Sequence, residues 1–165
     1  MIQIRKLTLI SLLIAMSVMG ANIKILGSIA LDSFPAFIGT ALLGPVWGRA
    51  LAFIGHLLSA YLAGFPYSFP VHLLIGIMMM VTMFAYGLIR KRRIHLEMKT
   101  MIFSNVVAYI FNVPVSLMTL IPFYGLAGVL PLAISLTIAT VANLLLTEFV
   151  FMSLPETYKK RVATL

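Results

Sequence analysis

Two of the chain's three histidines fall inside apolar runs, where an imidazole is chemically useful but costly to hold. His56 stands in the series Ala52, His56, Ala60 and Gly64, at steps of four, so it shares a helix face with small residues. His72 opens another apolar run, just after Phe65-Pro66-Tyr67-Ser68-Phe69-Pro70. Each is either a satisfied packing residue or a hydrogen-bonding group in a polar pocket. His95 lies in a basic stretch and reads as surface. Asp32 is the one acid in the loops that the charge pattern below assigns to the outside. It could cap a helix starting at Phe34, pair with Lys24, or take the hydroxyls or positive group of a ligand.

Asn105, Tyr109, Asn112, Ser116 and Thr119 follow steps of 4, 3, 4 and 3, which puts them on one helix face. Ser135, Asn143 and Thr147 share another face. Such side chains in hydrocarbon face either other helices or a water-filled cavity. Depth separates them: Asn112 falls mid-membrane or beyond, Ser116 and Thr119 toward the outside, and Asn105 near the cytoplasm as a structural residue. Phe34, Phe65, Tyr67 and Tyr124 gather on the outer side. They form either an interfacial aromatic belt or a lid over a ring-shaped ligand.

Other chemistries lack their residues. The chain has no cysteine, so thiolate catalysis and Cys-type zinc sites are out. No His pair sits at ligand spacing on one helix, and carboxylates are few, so no metal is expected. There is no phosphate-cradling Gly-x-x-x-x-Gly-Lys loop and no His-Glu-x-x-His. Ser59 shares a face with His56, but no oxyanion-hole motif accompanies them. No catalytic residue and no cofactor are assigned. The residues suit binding and orienting a molecule, with no visible energy source. Glu148 has no evident partner and reads as facing the cytoplasmic interface.

The elements that carry these groups follow from composition. Of 165 residues, 62% are hydrophobic and 10% charged, with a mean hydropathy of +1.10. Soluble domains are about 25% charged, so a soluble or disordered chain is excluded and an integral membrane protein remains. The expected fold is all-α: a single transmembrane domain over residues 1–165, a bundle of six helices. The spans are read as Leu7 to Ile25, Phe34 to Gly44, Ala50 to Ala63, Phe69 to Ile89, Thr100 to Ile121, and Leu126 to Leu154 with an interruption near Pro131. The second and third are short, and a tilted or re-entrant hairpin is the alternative there. The first run, behind Arg5-Lys6, resembles a signal peptide but lacks a small-residue cleavage site, and reads as a retained helix.

The formal net charge is +8. Six alternating spans with both termini in the cytoplasm place Arg5, Lys6, Arg49, Arg90, Lys91, Arg92, Arg93, Lys99, Lys159, Lys160 and Arg161 inside. Only Lys24 falls outside, so eleven of the twelve basic residues obey the positive-inside rule. That placement argues for a lipid bilayer and against nucleic acid as the reason for the basic balance.

In length, short spans, basic inner ends and outer polar residues, nearly the whole chain resembles the substrate-binding S components of energy-coupling factor (ECF) vitamin transporters. The local strings are most similar to the S components for α-ribazole, a cobalamin precursor. They are Asp32-Ser33-Phe34-Pro35-Ala36-Phe37, Gly55-His56-Leu57-Leu58-Ser59-Ala60, Gly64-Phe65-Pro66 and His72-Leu73-Leu74. The resemblance implies a substrate site near the extracellular face under mobile loops. It also implies docking on a transmembrane coupling subunit driven by two ATPase subunits, in a prokaryotic plasma membrane. The docking motif of the family is Ala-x-x-x-Ala on the first helix; here Ser11-x-x-x-Ala15 and Ser17-x-x-x-Ala21 stand nearest to it. The start Met1-Ile2 departs from the Met-His start of the cobalt and nickel members, which disfavours a metal-ion substrate. For an α-ribazole-type ligand, Phe34, Phe65, Tyr67 and Tyr124 would enclose the ring, and Asp32, His56, His72 and Asn112 would bind ribose hydroxyls and a ring nitrogen. A thiamin precursor is the alternative ligand, and a self-sufficient proton-coupled carrier the alternative mechanism.

Overall fold

The computed structural model describes residues 2–22, 24–25, 29–66, 68–90, 95 and 97–165. Tyr67, Lys91, Arg92 and Arg93 lie outside the described residues, as does the side chain of Lys24 with its suggested pairing to Asp32. Among the described residues the regular structure is helical, apart from one two-residue antiparallel pair, Lys24–Ile25 with Ile29–Ala30. The helices are α1 Ile2–Asn22, α2 Phe34–Leu43, α3 Pro45–Leu62, α4 Phe69–Arg90, α5 Met98–Ile110, α6 Ser116–Ser153 and α7 Glu156–Ala163. A π-helical turn, Phe111–Val115, joins α5 to α6 without a break.

Three described stretches are long and apolar enough to cross a membrane: Ile4–Asn22, Phe69–Arg90 and Met98–Ser153. The expected six spans are therefore not reproduced helix for helix. α2 has ten residues, about 15 Å of helix, against a hydrocarbon core of about 30 Å. All ten are buried inside the bundle. Met98–Ser153 has 56 residues, about 84 Å of helix, more than two crossings long. It breaks at Gly125, whose φ of 65° and ψ of 170° are not helical.

Several boundaries differ from the sequence reading. α1 ends at Asn22, before Ile25, because the chain doubles back: the Leu31 N–H donates to the Gly20 carbonyl at 3.2 Å. Any side chain at Gly20 would strike the Leu31 carbonyl, so glycine is what admits the returning strand. α3 starts at Pro45 and not at Ala50, since Gly44 (φ 91°, ψ 174°) turns the chain and Pro45 suits the first helical position. The fifth span widens to a π turn around Pro114, which has no N–H for an α-helical rung. No interruption occurs at Pro131; the helix runs through it, because one missing rung bends a long membrane helix without ending it.

Packing is tightest where α2, α3 and α4 meet. A side chain on Gly48 would collide with Thr40, and one on Gly87 with Pro45 and Thr40. The buried core of Phe37, Ala41, Leu51, Met83 and Tyr86 fills this seam, with the Phe37 and Tyr86 rings edge to face at 5.3 Å.

Lys6, Arg49, Arg90 and Lys159 gather at one end. Lys6 lies over Trp47 at 4.5 Å and donates to the Leu165 carbonyl at 2.9 Å, and Arg49 lies over Phe84 at 4.8 Å. Glu148 is not an interfacial residue without a partner. It is 7% exposed and ion-paired to Arg90, itself 2% exposed, at 2.9 Å. The segment after the last span, with Lys159, Lys160 and Arg161, forms the helix α7, which buries Val162 and Lys159 against the bundle. Asp32 and the turn between α3 and α4 lie at the opposite end.

Candidate functional site

A cavity of about 270 Å³ opens between α6 and the elements facing it. Its polar lining is Asp32, Ser33, His56, Asn112, Ser116, Ser135, Thr140 and Asn143. Its apolar wall is Ile75, Met79, Leu117, Leu120, Leu132, Leu136 and Ala139. Apolar walls with a few converging polar groups are what a small-molecule site needs.

Each polar group is held by its element. Asn112 sits in the π turn, 6% exposed, and its amide donates to the Thr140 hydroxyl at 2.8 Å. The Phe34 N–H, an orphan donor at the start of α2, donates to Asn143 Oδ1 at 2.6 Å and so ties α2 to α6. Asp32 stands just ahead of α2, outside the helical segments, and its Oδ1 accepts from the Ser33 hydroxyl at 3.1 Å. It makes no side-chain cap on α2. Burial pushes the Asp32 carboxyl above the usual carboxylate range, against the opposing pull of the Ser33 hydroxyl and of backbone hydrogen bonds.

His56 reaches the cavity from α3, and its Nε2 lies 3.2 Å from His72 Nδ1 on α4. The two rings, 16 residues apart in sequence, thus form one hydrogen-bonded pair. His72 is 7% exposed and stands behind His56. Phe65 packs over it, with ring centroids 5.8 Å apart, and also contacts Phe69 and Tyr61. The turn that carries Phe65 is sharp: Gly64, Phe65 and Ser68 have φ of 77°, 50° and 80°. Phe65 and Ser68 there adopt a left-handed backbone that is uncommon without glycine.

Of the residues singled out in sequence, Asp32, His56 and Asn112 meet at this cavity, with His72 one hydrogen bond behind. Phe34 does not line it; its ring is 8% exposed in the hydrophobic core. Phe65 belongs to the His72 cluster, and Tyr124 lies beside Gly125, 37% exposed. Tyr67 lies outside the described residues. Ser33 and Thr140 join Asp32, His56 and Asn112 in the lining. Thr140 was readable: Leu132, Ser135, Leu136, Ala139, Thr140 and Asn143 recur at three- and four-residue steps, one face of α6.

The small residues of α1 divide between two faces. Ser11 and Ala15 are exposed and Ala21 is partly so. Ser17 is 2% exposed, and its carbonyl accepts from the Ser59 hydroxyl at 3.5 Å. Among the described residues no three His, Asp or Glu side chains come together as a metal cluster.

A family model described as "ECF transporter, substrate-specific component" matches residues 5–158. No match was found among curated proteins or among solved structures.

Proposed function

The chain belongs to the family of ECF transporter substrate-specific components, and from that premise we propose a substrate, a site and a topology for it. Membership makes it a membrane protein that binds a small-molecule substrate and associates with other ECF components, and not an enzyme. The proposed substrate is α-ribazole, a neutral nucleoside of dimethylbenzimidazole and ribose, taken up for cobalamin salvage. The proposed site is the cavity shared by Asp32, His56 and Asn112, which is the observation that carries this reading. Its apolar wall suits the flat ring, and its hydroxyl, amide, imidazole and carboxyl groups suit ribose hydroxyls and a ring nitrogen. At about 270 Å³ the cavity fits a nucleoside better than an intact corrinoid.

The proposed topology is six passes with both termini in the cytoplasm of a prokaryote's plasma membrane. The gathering of Lys6, Arg49, Arg90 and Lys159 at one end supports it, as does the break at Gly125 in a stretch longer than two crossings. The proposed partners are a transmembrane coupling subunit and two ATPase subunits, with Ser11 and Ala15 on the exposed face of α1 as the docking contact.

Isothermal titration of the purified protein with α-ribazole, thiamin precursors and intact cobalamin tests the substrate. Tight binding of α-ribazole alone is expected. Tight binding of another compound, uncompeted by α-ribazole, would sink that assignment. Uptake by the protein alone in proteoliposomes under a proton gradient would overturn the need for ATPase partners.

A further inference from the structure

We propose that the basic end of the bundle carries a second binding site, for an anionic phosphate group, in a cavity between α5, α6 and α7. The cavity measures about 290 Å³, and Lys159, His95, Glu148 and Phe151 are among its lining. Lys159 is 9% exposed, yet no carboxylate pairs with it among the described residues. Its ammonium rests 4.5 Å over the Phe151 ring. The neighbouring acid is already taken: both oxygens of Glu148 accept from Arg90 Nη2 at 2.9 Å. Arg90 in turn lies 5.1 Å from the same Phe151 ring. Farther out, Glu156 is matched by His95 at 3.4 Å and Lys160 at 3.8 Å.

Arg90 and Lys159 against Glu148 leave one positive charge over, on a side chain packed along the Phe151 ring and lining the cavity. An ammonium is stabilised by an anion with oxygen acceptors, and the cavity beside Lys159 has room for one. Its other walls are Met98, Met101 and Met152, which suit the apolar part of an amphiphile. α7 buries Lys159 and Val162 against the bundle, while Lys160 and Arg161 on its exposed side add positive charge at the same end of the protein. Basic pockets at such an end take lipid headgroups. The phosphate could belong to an anionic lipid or be free, and the two sources separate in the test.

The full-length protein is purified in detergent and offered phosphatidylglycerol or phosphatidylcholine, with retained lipid read by native mass spectrometry. Thermal unfolding with inorganic phosphate is read in parallel. Wild type is expected to retain phosphatidylglycerol over phosphatidylcholine by about fivefold, the worth of one well-placed lysine. Lys159→Ala and Lys159→Gln lose that preference, whereas Lys159→Arg and the exposed neighbour Lys160→Ala keep it. Stabilisation by inorganic phosphate that vanishes in Lys159→Gln, without a lipid preference, assigns the site to free phosphate. Lys159→Gln matching wild type in both readouts overturns the site.

Discussion

Arg90 and Glu148, 58 residues apart in sequence, join the end of α4 to α6 through one nitrogen, with Arg90 Nη2 2.9 Å from each carboxylate oxygen. Both side chains are buried, and the guanidinium lies between the Tyr86 and Phe151 rings at 4.9 and 5.1 Å. Deleting one partner strands the other charge. Glu148→Ala or Arg90→Ala should destabilise the protein by about 3–5 kcal/mol. The double variant Arg90→Met/Glu148→Leu should recover most of that loss. Thermal unfolding in detergent checks this, and additive losses in the double variant would show that the pair does not act as one.

The second prediction concerns ligand affinity. Removing a buried partner of a ligand hydroxyl leaves that group unsatisfied, at about 1–3 kcal/mol. Asp32→Ala should therefore weaken binding of α-ribazole by roughly tenfold or more. His72→Ala should do likewise through His56, whose Nε2 it would leave without its hydrogen bond. Titration calorimetry on each variant gives the answer; unchanged affinity in both discards this site while leaving the ligand standing.

A pH effect follows from Asp32. Its folded-state pKa is raised above 3.8 by burial. The sign is that of a raised acid: the stabilising contribution is full below the unfolded value and is lost as pH rises through the folded one. Above the unfolded value, folding must either protonate Asp32 or bury its charge, and either one costs stability. Asp32→Asn should melt above wild type at pH 7, the gap closing toward pH 4, even as it binds ligand more weakly. A gap that widens on acidification would reverse the assignment.

Steric fit between α2 and α3 supplies a fourth test. A methyl on Gly48 has no room beside the Thr40 side chain. Gly48→Ala should cost about 1–3 kcal/mol, and Thr40→Ala in the same chain should restore part of it. Gly64→Ala meets no atom within 4 Å and bears only its φ of 77°. Its smaller loss in the same melting series would separate crowding from backbone strain.

Topology is the fifth. The chain has no cysteine, so single cysteines report cleanly. One at Ser68 should label from outside intact cells, and one at His95 only after the membrane is opened. The reverse pattern would invert the map.

Composition and charge spacing were enough to specify a helical membrane protein with its basic groups at one end. Both follow from local rules: hydrocarbon demands apolar helices, and charge settles on one side of them. The face that carries Asn112 and Ser116 was likewise legible in side-chain spacing, as were Asp32 and His56 as costly residues. Pairing was not. Nothing in the sequence links Arg90 to Glu148, or His56 to His72, because each contact depends on how two helices cross and rotate. The same holds for Phe34 and Ser17, whose types suited a lid and a docking face but which the packing turns inward. α2 reads as a short span because its ten residues, Thr40 aside, carry no polar side chain. Only the tertiary structure shows that neighbouring helices, and not lipid, cover that surface, since lipid and protein interiors are equally apolar to a sequence.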